Sequence, residues 1–143
     1  LVYTPAVLQA TPPEQIRKNF DINFFRFPAD AEFMIQDRLA LRESADYPAY
    51  CAMIPKCVAG MLQQPVFDRL PELKIPVLVL YGENDGLIPN RFLHKGLTTR
   101  QVAESGQQRL PNSRLLLLPE CGHFVQWEAA GAVNQAILDF FTT

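Results

Sequence analysis

Ile75-Pro76-Val77-Leu78-Val79-Leu80-Tyr81-Gly82-Glu83-Asn84-Asp85 is the stretch that decides the fold. From Ile75 to Tyr81 it is apolar at nearly every position, with no alternation that would set one face aside for water. A strand covered on both faces, as in a parallel sheet, reads this way. Gly82 ends it, and Asp85 lies four residues past Tyr81 in a turn. A second short apolar run, Arg114 to Leu118, is stopped by Pro119 and leads into Pro119-Glu120-Cys121-Gly122-His123.

Between the two runs, Thr99 to Arg109 reads as a surface helix. A last helix is expected from about Ala129 to Phe141, with Val133, Ile137, Phe140 and Phe141 forming one apolar face. Strand, helix, strand, helix implies a right-handed crossover and parallel strands. Sites in such sheets form beyond the carboxyl ends of the strands. Adjacent strands lie about 4.8 Å apart, so loops leaving the same end can bring Asp85 to His123. A carboxylate bonded to one ring nitrogen fixes the tautomer and frees the other nitrogen to act as a base.

Upstream the texture changes near Pro71. Residues 1–70 read as helical and residues 71–143 as the strand-and-helix part. Thr11-Pro12-Pro13-Glu14 has the spacing of a helix start with Thr11 as cap. Pro28 to Glu43 reads as a second helix. Pro48 to Gln63 reads as a third, expected to break at Pro55. Leu1-Val2-Tyr3 reads as the tail of a third parallel strand. Phe20 to Phe27 holds four phenylalanines in eight residues and shows no strand alternation.

Composition narrows the function classes. Of 143 residues 48% are hydrophobic and 20% charged, which is globular and not disordered. Thirteen basic and fifteen acidic side chains give a net charge of -2. Neither nucleic acid nor an anionic membrane is an expected partner on that balance. No apolar run approaches the roughly 20 residues needed to span a bilayer. Three cysteines (Cys51, Cys57, Cys121) without CxxC spacing suggest a reducing compartment, so a cytoplasmic location is the expectation. The chain opens with Leu1 and not Met, so the lack of a leader at its start says little about location.

The two loops carry a family resemblance. Ile75 to Asp85, with Pro89 following, resembles the seventh strand and acid turn of the α/β-hydrolase family. Leu110-Pro111-Asn112-Ser113 leading to Cys121-Gly122-His123-Phe124, then Glu128 and the amphipathic tail, resembles that family's last strand, histidine loop and final helix. The resemblance covers roughly residues 70–141. It implies the C-terminal part of an α/β-hydrolase fold: two to three parallel strands with flanking helices. Residues 1–70 match a helical cap. Asp85 would be the triad acid and His123 the general base. No cofactor or metal is expected. His94 has no second ligand spaced nearby and reads as a surface residue. Glu83 and Glu120 read as solvated or supporting. Phe24, Phe25, Tyr47 and Tyr50 are candidates to line an apolar substrate pocket, with cap core as the commoner role for such residues.

The nucleophile is missing. In the family's chain order the G-x-S-x-G elbow precedes acid and base. Ser44, Ser105 and Ser113 do not sit in that pattern, and Cys121 shares a loop with His123. Three functions remain open. One is ester or thioester hydrolysis with a serine supplied from elsewhere and a small apolar substrate. Another is the chemistry of epoxide hydrolases and haloalkane dehalogenases, whose elbow carries an aspartate and which the tail from Cys121 also resembles. The last is a non-catalytic fragment. Two or three parallel strands leave an unpaired edge, so such a fragment is expected to self-associate as a homodimer or to need a missing N-terminal half.

Overall fold

The structure, a computed structural model, describes residues 4–142. The expected strand at Leu1-Val2-Tyr3, and any dimer contact through it, lies outside the described residues. The chain forms two compact units. One comprises residues up to Phe20 together with Ala29–Val66. The other comprises Asp21–Pro28 together with Phe67 onward. The break thus falls a few residues before the change of texture at Pro71, and the phenylalanine-rich stretch joins the strand-bearing unit.

In the helical unit, α1 (Pro5–Gln9) is capped by Thr4, whose hydroxyl accepts from Val7 N at 3.3 Å. Helix α2 (Pro13–Asp21) is not capped by Thr11 as the sequence suggested. The Thr11 hydroxyl donates back to Val7 O at 3.2 Å, and Pro12 O accepts the first helical N–H groups, those of Gln15 and Ile16. The helix opens at Pro13, which leaves Thr11 one residue too far out. A 3-10 turn (Ala29–Ala31) precedes α3 (Glu32–Arg42).

Helix α4 (Tyr47–Gln63) runs through Pro55, where a break was expected. An internal proline costs about 3 kcal/mol through one lost hydrogen bond and a clash. Packing of the first half of α4 outweighs it. Cys51 is fully buried, Tyr47 is buried, and the Tyr47 hydroxyl donates to Leu8 O of α1 at 3.0 Å.

In the second unit, β1 (Val77–Gly82) and β2 (Ser113–Leu118) pair in parallel, in register from Val77 opposite Ser113 to Gly82 opposite Leu118. The chain returns between them through α5 (Thr99–Arg109), which contacts both strands. Thr98 and Gln101 close a reciprocal cap on α5: the Thr98 hydroxyl accepts from Gln101 N, and the Gln101 side chain accepts from Thr98 N. After β2 come a single turn, α6 (Val125–Glu128), and the final helix α7 (Ala130–Thr142).

Leu118, Cys121, Val125 and Val133 form a buried cluster, with Leu80, Leu116 and Ala129 packed against it. Leu80 is the register partner of Leu116, so these two present to the same face of the sheet. Two details depart from the sequence reading. The buried line of α7 is Val133 and Ala136, while Ile137 and Phe141 are exposed at 39% and 82%. Val133 is the α7 residue in the buried cluster, and that contact sets which line of the helix faces inward. Strand β1 is also only half-buried along Val77–Tyr81, because its second edge has no strand partner among the described residues.

Candidate active site

The two loops meet because the ladder continues past the strand ends. Glu83 N donates to Leu118 O, and Asn84 N to Cys121 O, each at 2.9 Å. At Gly82 a Cβ would overlap the carbonyl oxygens of Gly122 and Cys121. At Gly122 a Cβ would lie 2.7 Å from the backbone of Asn23, Phe24 and Phe25. Both positions therefore need glycine for close backbone approach and not for unusual dihedrals. Glu120, just after β2, takes a left-handed φ of 52°, which makes the turn into the histidine loop sharp.

Asp85 and His123 are joined at this end of the sheet. His123 Nδ1–H donates to Asp85 Oδ2 at 2.7 Å. The other carboxylate oxygen, Oδ1, accepts from Leu87 N at 2.7 Å and Ile88 N at 3.0 Å. The Asp85 side chain is 3% exposed and that of His123 39%. With Nδ1 carrying the proton to a fixed carboxylate, Nε2 is the nitrogen with a free lone pair. Burial, with the Asp85 charge second, pushes the Tyr81 hydroxyl above its usual range, so it stays protonated beside the carboxylate. The acid loop is braced by α5. Thr99 donates to Ile88 O at 2.7 Å, and Arg100 pairs with Glu83 and reaches Glu104 at 3.6 Å.

The other candidate residues divide between the units. Phe24 is buried, with its ring edge-on to Phe27 and Phe124, each at 5.1 Å. Phe25 is exposed, with the Arg26 guanidinium 5.2 Å from its ring centre. Tyr47 and Tyr50 stack at 6.1 Å in the helical unit. They line a small cleft there with Leu8, Ile16, Phe20 and Arg38. Arg38 lies over the rings of Tyr50 (4.5 Å) and Phe20 (5.5 Å) and makes no ion pair among the described residues. The aromatic neighbours of Arg38 come from two other helices, α2 and α4. Sequence reasoning missed the bonds made by Asn23 and Glu128, which join distant parts of the chain.

No nucleophile stands beside His123 among the described residues. The serine hydroxyls donate to backbone carbonyls: Ser44 to Leu41 O, Ser105 to Val102 O, and Ser113 to Gln107 O and Leu110 O. Burial pushes the Cys121 thiol up, and the charges of Glu128 and Glu120 add to the effect. Such a thiol is a poor nucleophile at neutral pH. Among the described residues no group of three or more His, Cys, Asp or Glu could hold a metal ion, and no helix is long and apolar enough to cross a membrane.

Similar folds occur in solved structures. A probable hydrolytic enzyme from Pseudomonas aeruginosa PAO1 superposes with a TM-score of 0.85 at 20% identity, covering 97% of this chain and 47% of that one. A 2-hydroxy-6-oxo-6-phenylhexa-2,4-dienoate hydrolase from Rhodococcus sp. strain RHA1 gives 0.73 at 21% identity, with the same coverage. The chain thus has the fold of the C-terminal part of an α/β-hydrolase.

Two curated proteins narrow the likeness. The 2-hydroxy-6-oxononadienedioate/2-hydroxy-6-oxononatrienedioate hydrolase 1 of Pseudomonas putida is 40% identical over 85 residues, which is 59% of this chain and 26% of that one. The 2-hydroxy-6-oxo-6-phenylhexa-2,4-dienoate hydrolase of Burkholderia cepacia is 40% identical over 75 residues, 52% of this chain and 23% of that one. The chain therefore spans about a quarter of the length of these relatives. No family model matches it.

Two outcomes test this geometry. Gly122→Ala should cost about 3 kcal/mol, read from the denaturant midpoint, because backbone and not a flexible side chain must move. A loss under about 0.5 kcal/mol would contradict the close approach. A thiol reagent at neutral pH should label the native chain rapidly at the exposed Cys57 only, with the buried Cys51 and Cys121 reacting after unfolding. Rapid labelling of Cys121 would contradict its placement.

Proposed function

We propose that this chain supplies the acid and the base of a hydrolase that acts by acyl transfer, with the nucleophile coming from residues outside these 143. The observation that carries the reading is the 2.7 Å bond from His123 Nδ1–H to a buried Asp85 carboxylate that two backbone N–H groups also hold. In that role His123 Nε2 takes the proton of the attacking hydroxyl or water and returns it to the leaving group, and Asp85 holds the imidazole in the working tautomer. Residues 1–70 are proposed to form most of a cap.

For the substrate we favour a conjugated oxo-acid over a simple ester, because both curated relatives carry that compound class in their names. The carbon–carbon bond beside the ketone can break once the enol hydroxyl proton has moved to the carbon next to that ketone. The electron pair then left on this carbon passes through the enone to the oxygen next to the carboxylate. A small apolar ester is the second reading.

Assayed with the segment that carries the nucleophile, His123→Ala should abolish turnover, and Asp85→Asn should lower kcat by about 10⁴. Wild-type rates after either change would refute the assignment. Turnover of a 2-hydroxy-6-oxo-dienoate compared with that of a neutral aryl ester separates the two substrate classes, and a higher kcat/KM for the ester would favour the second reading.

A further inference from the structure

We propose that Glu128 is a positioning residue for His123: its carboxylate latches the histidine loop to the Phe25–Arg26 backbone. Glu128 Oε2 accepts from Gly122 N at 2.6 Å. Oε1 accepts from Phe25 N at 2.8 Å and Arg26 N at 3.1 Å, about a hundred residues away in the chain. From the other side, Asn23 O accepts from His123 N at 2.8 Å and from Phe124 N at 3.2 Å. The N–H groups of Gly122, His123 and Phe124 are thus all held by groups outside the loop's own turn. The path of the loop, and with it the root of the imidazole, depends on residues 23–26 and on this one carboxylate.

The chemistry requires an acceptor with no hydrogen of its own. Three N–H donors converge on two oxygens, and a carboxylate is acceptor-only. A glutamine there must turn its NH₂ toward either Gly122 N–H or the Phe25 and Arg26 N–H groups, and one side of the latch opens. An aspartate keeps the charge but is one methylene short. The latch acts on His123 through Gly122 and touches neither the ring nor Asp85.

The proposal rests on His123 being the base, and ring spectroscopy separates the two claims. The chain has two histidines, His94 and His123, so the ring protons can be assigned. In the ¹⁵N-labelled wild type, the His123 Nδ1 proton should appear as a sharp, strongly downfield resonance that Asp85→Asn removes. In Glu128→Gln that resonance should broaden or vanish. The Gly122 amide should exchange about tenfold faster, with the α5 signals unmoved. A folded Glu128→Gln chain with both readouts at wild-type values would overturn the latch. If Asp85→Asn leaves the ring resonance in place, the acid–base reading fails instead. Should Glu128→Gln not fold, Glu128→Asp should weaken both readouts, and wild-type behaviour there overturns the latch equally. A residue that served stability alone would lower the unfolding midpoint and leave the ring proton sharp.

Discussion

Two glycines pressed together at the end of a parallel strand pair are the constraint from which the rest follows. Gly82 closes β1 and Gly122 precedes His123, and neither has room for a Cβ. Because they touch, the backbone bonds of the sheet carry on into the loops, from Glu83 to Leu118 and from Asn84 to Cys121. The loops are fixed to each other as backbone before any side chain acts. Asp85 and His123 then need only short, well-seated side chains to meet at 2.7 Å. Net gains of about 1 kcal/mol per hydrogen bond would not hold two free loops in place. They suffice here because the strands and the core cluster of Leu118, Cys121, Val125 and Val133 have already met most of the ordering cost.

The environments of the two side chains differ in the direction acid–base chemistry requires. The Asp85 carboxylate is almost entirely covered and has three fixed donors, so it has little freedom to turn away. The imidazole is more than a third exposed, with its unbonded nitrogen left for a reacting group. Arg100 and Thr99 brace the acid loop from α5, while Glu128 and Asn23 brace the histidine loop. Each loop thus has its own side-chain brace in addition to the backbone bonds that join the two.

What the sequence disclosed is what short-range chemistry encodes. The apolar run at Val77 to Tyr81, the glycine after it and the turn holding Asp85 all lie within a dozen residues, and the same holds for Leu118 to His123. Helix α5 was legible to the residue, because a surface helix with a reciprocal cap is specified by its own ends. The misses are long-range. Pro55 signals a break, yet α4 continues because Cys51 and Tyr47 are buried. The apolar face of α7 reads as Val133, Ile137, Phe140 and Phe141, but Val133 and Ala136 are the buried ones, with Val133 against Leu118, Cys121 and Val125, which lie outside the helix. Residues 21–28 have helical neighbours on both sides and still group with the strand-bearing unit, a fact carried by backbone contacts that no local pattern announces.

The serines show how complete this arrangement is without a nucleophile. Ser44, Ser105 and Ser113 all spend their hydroxyls on nearby carbonyls, which is how serine behaves at turns and helix ends. None is held back for chemistry. Yet the proposed acid and base stand oriented, with donors, braces and burial in place. Their order derives from the strand pair, the glycine contact and the backbone of residues 23–26, all inside the second unit. On the proposed reading, a nucleophile brought to Nε2 would meet an imidazole already aimed, and the base needs no further organising.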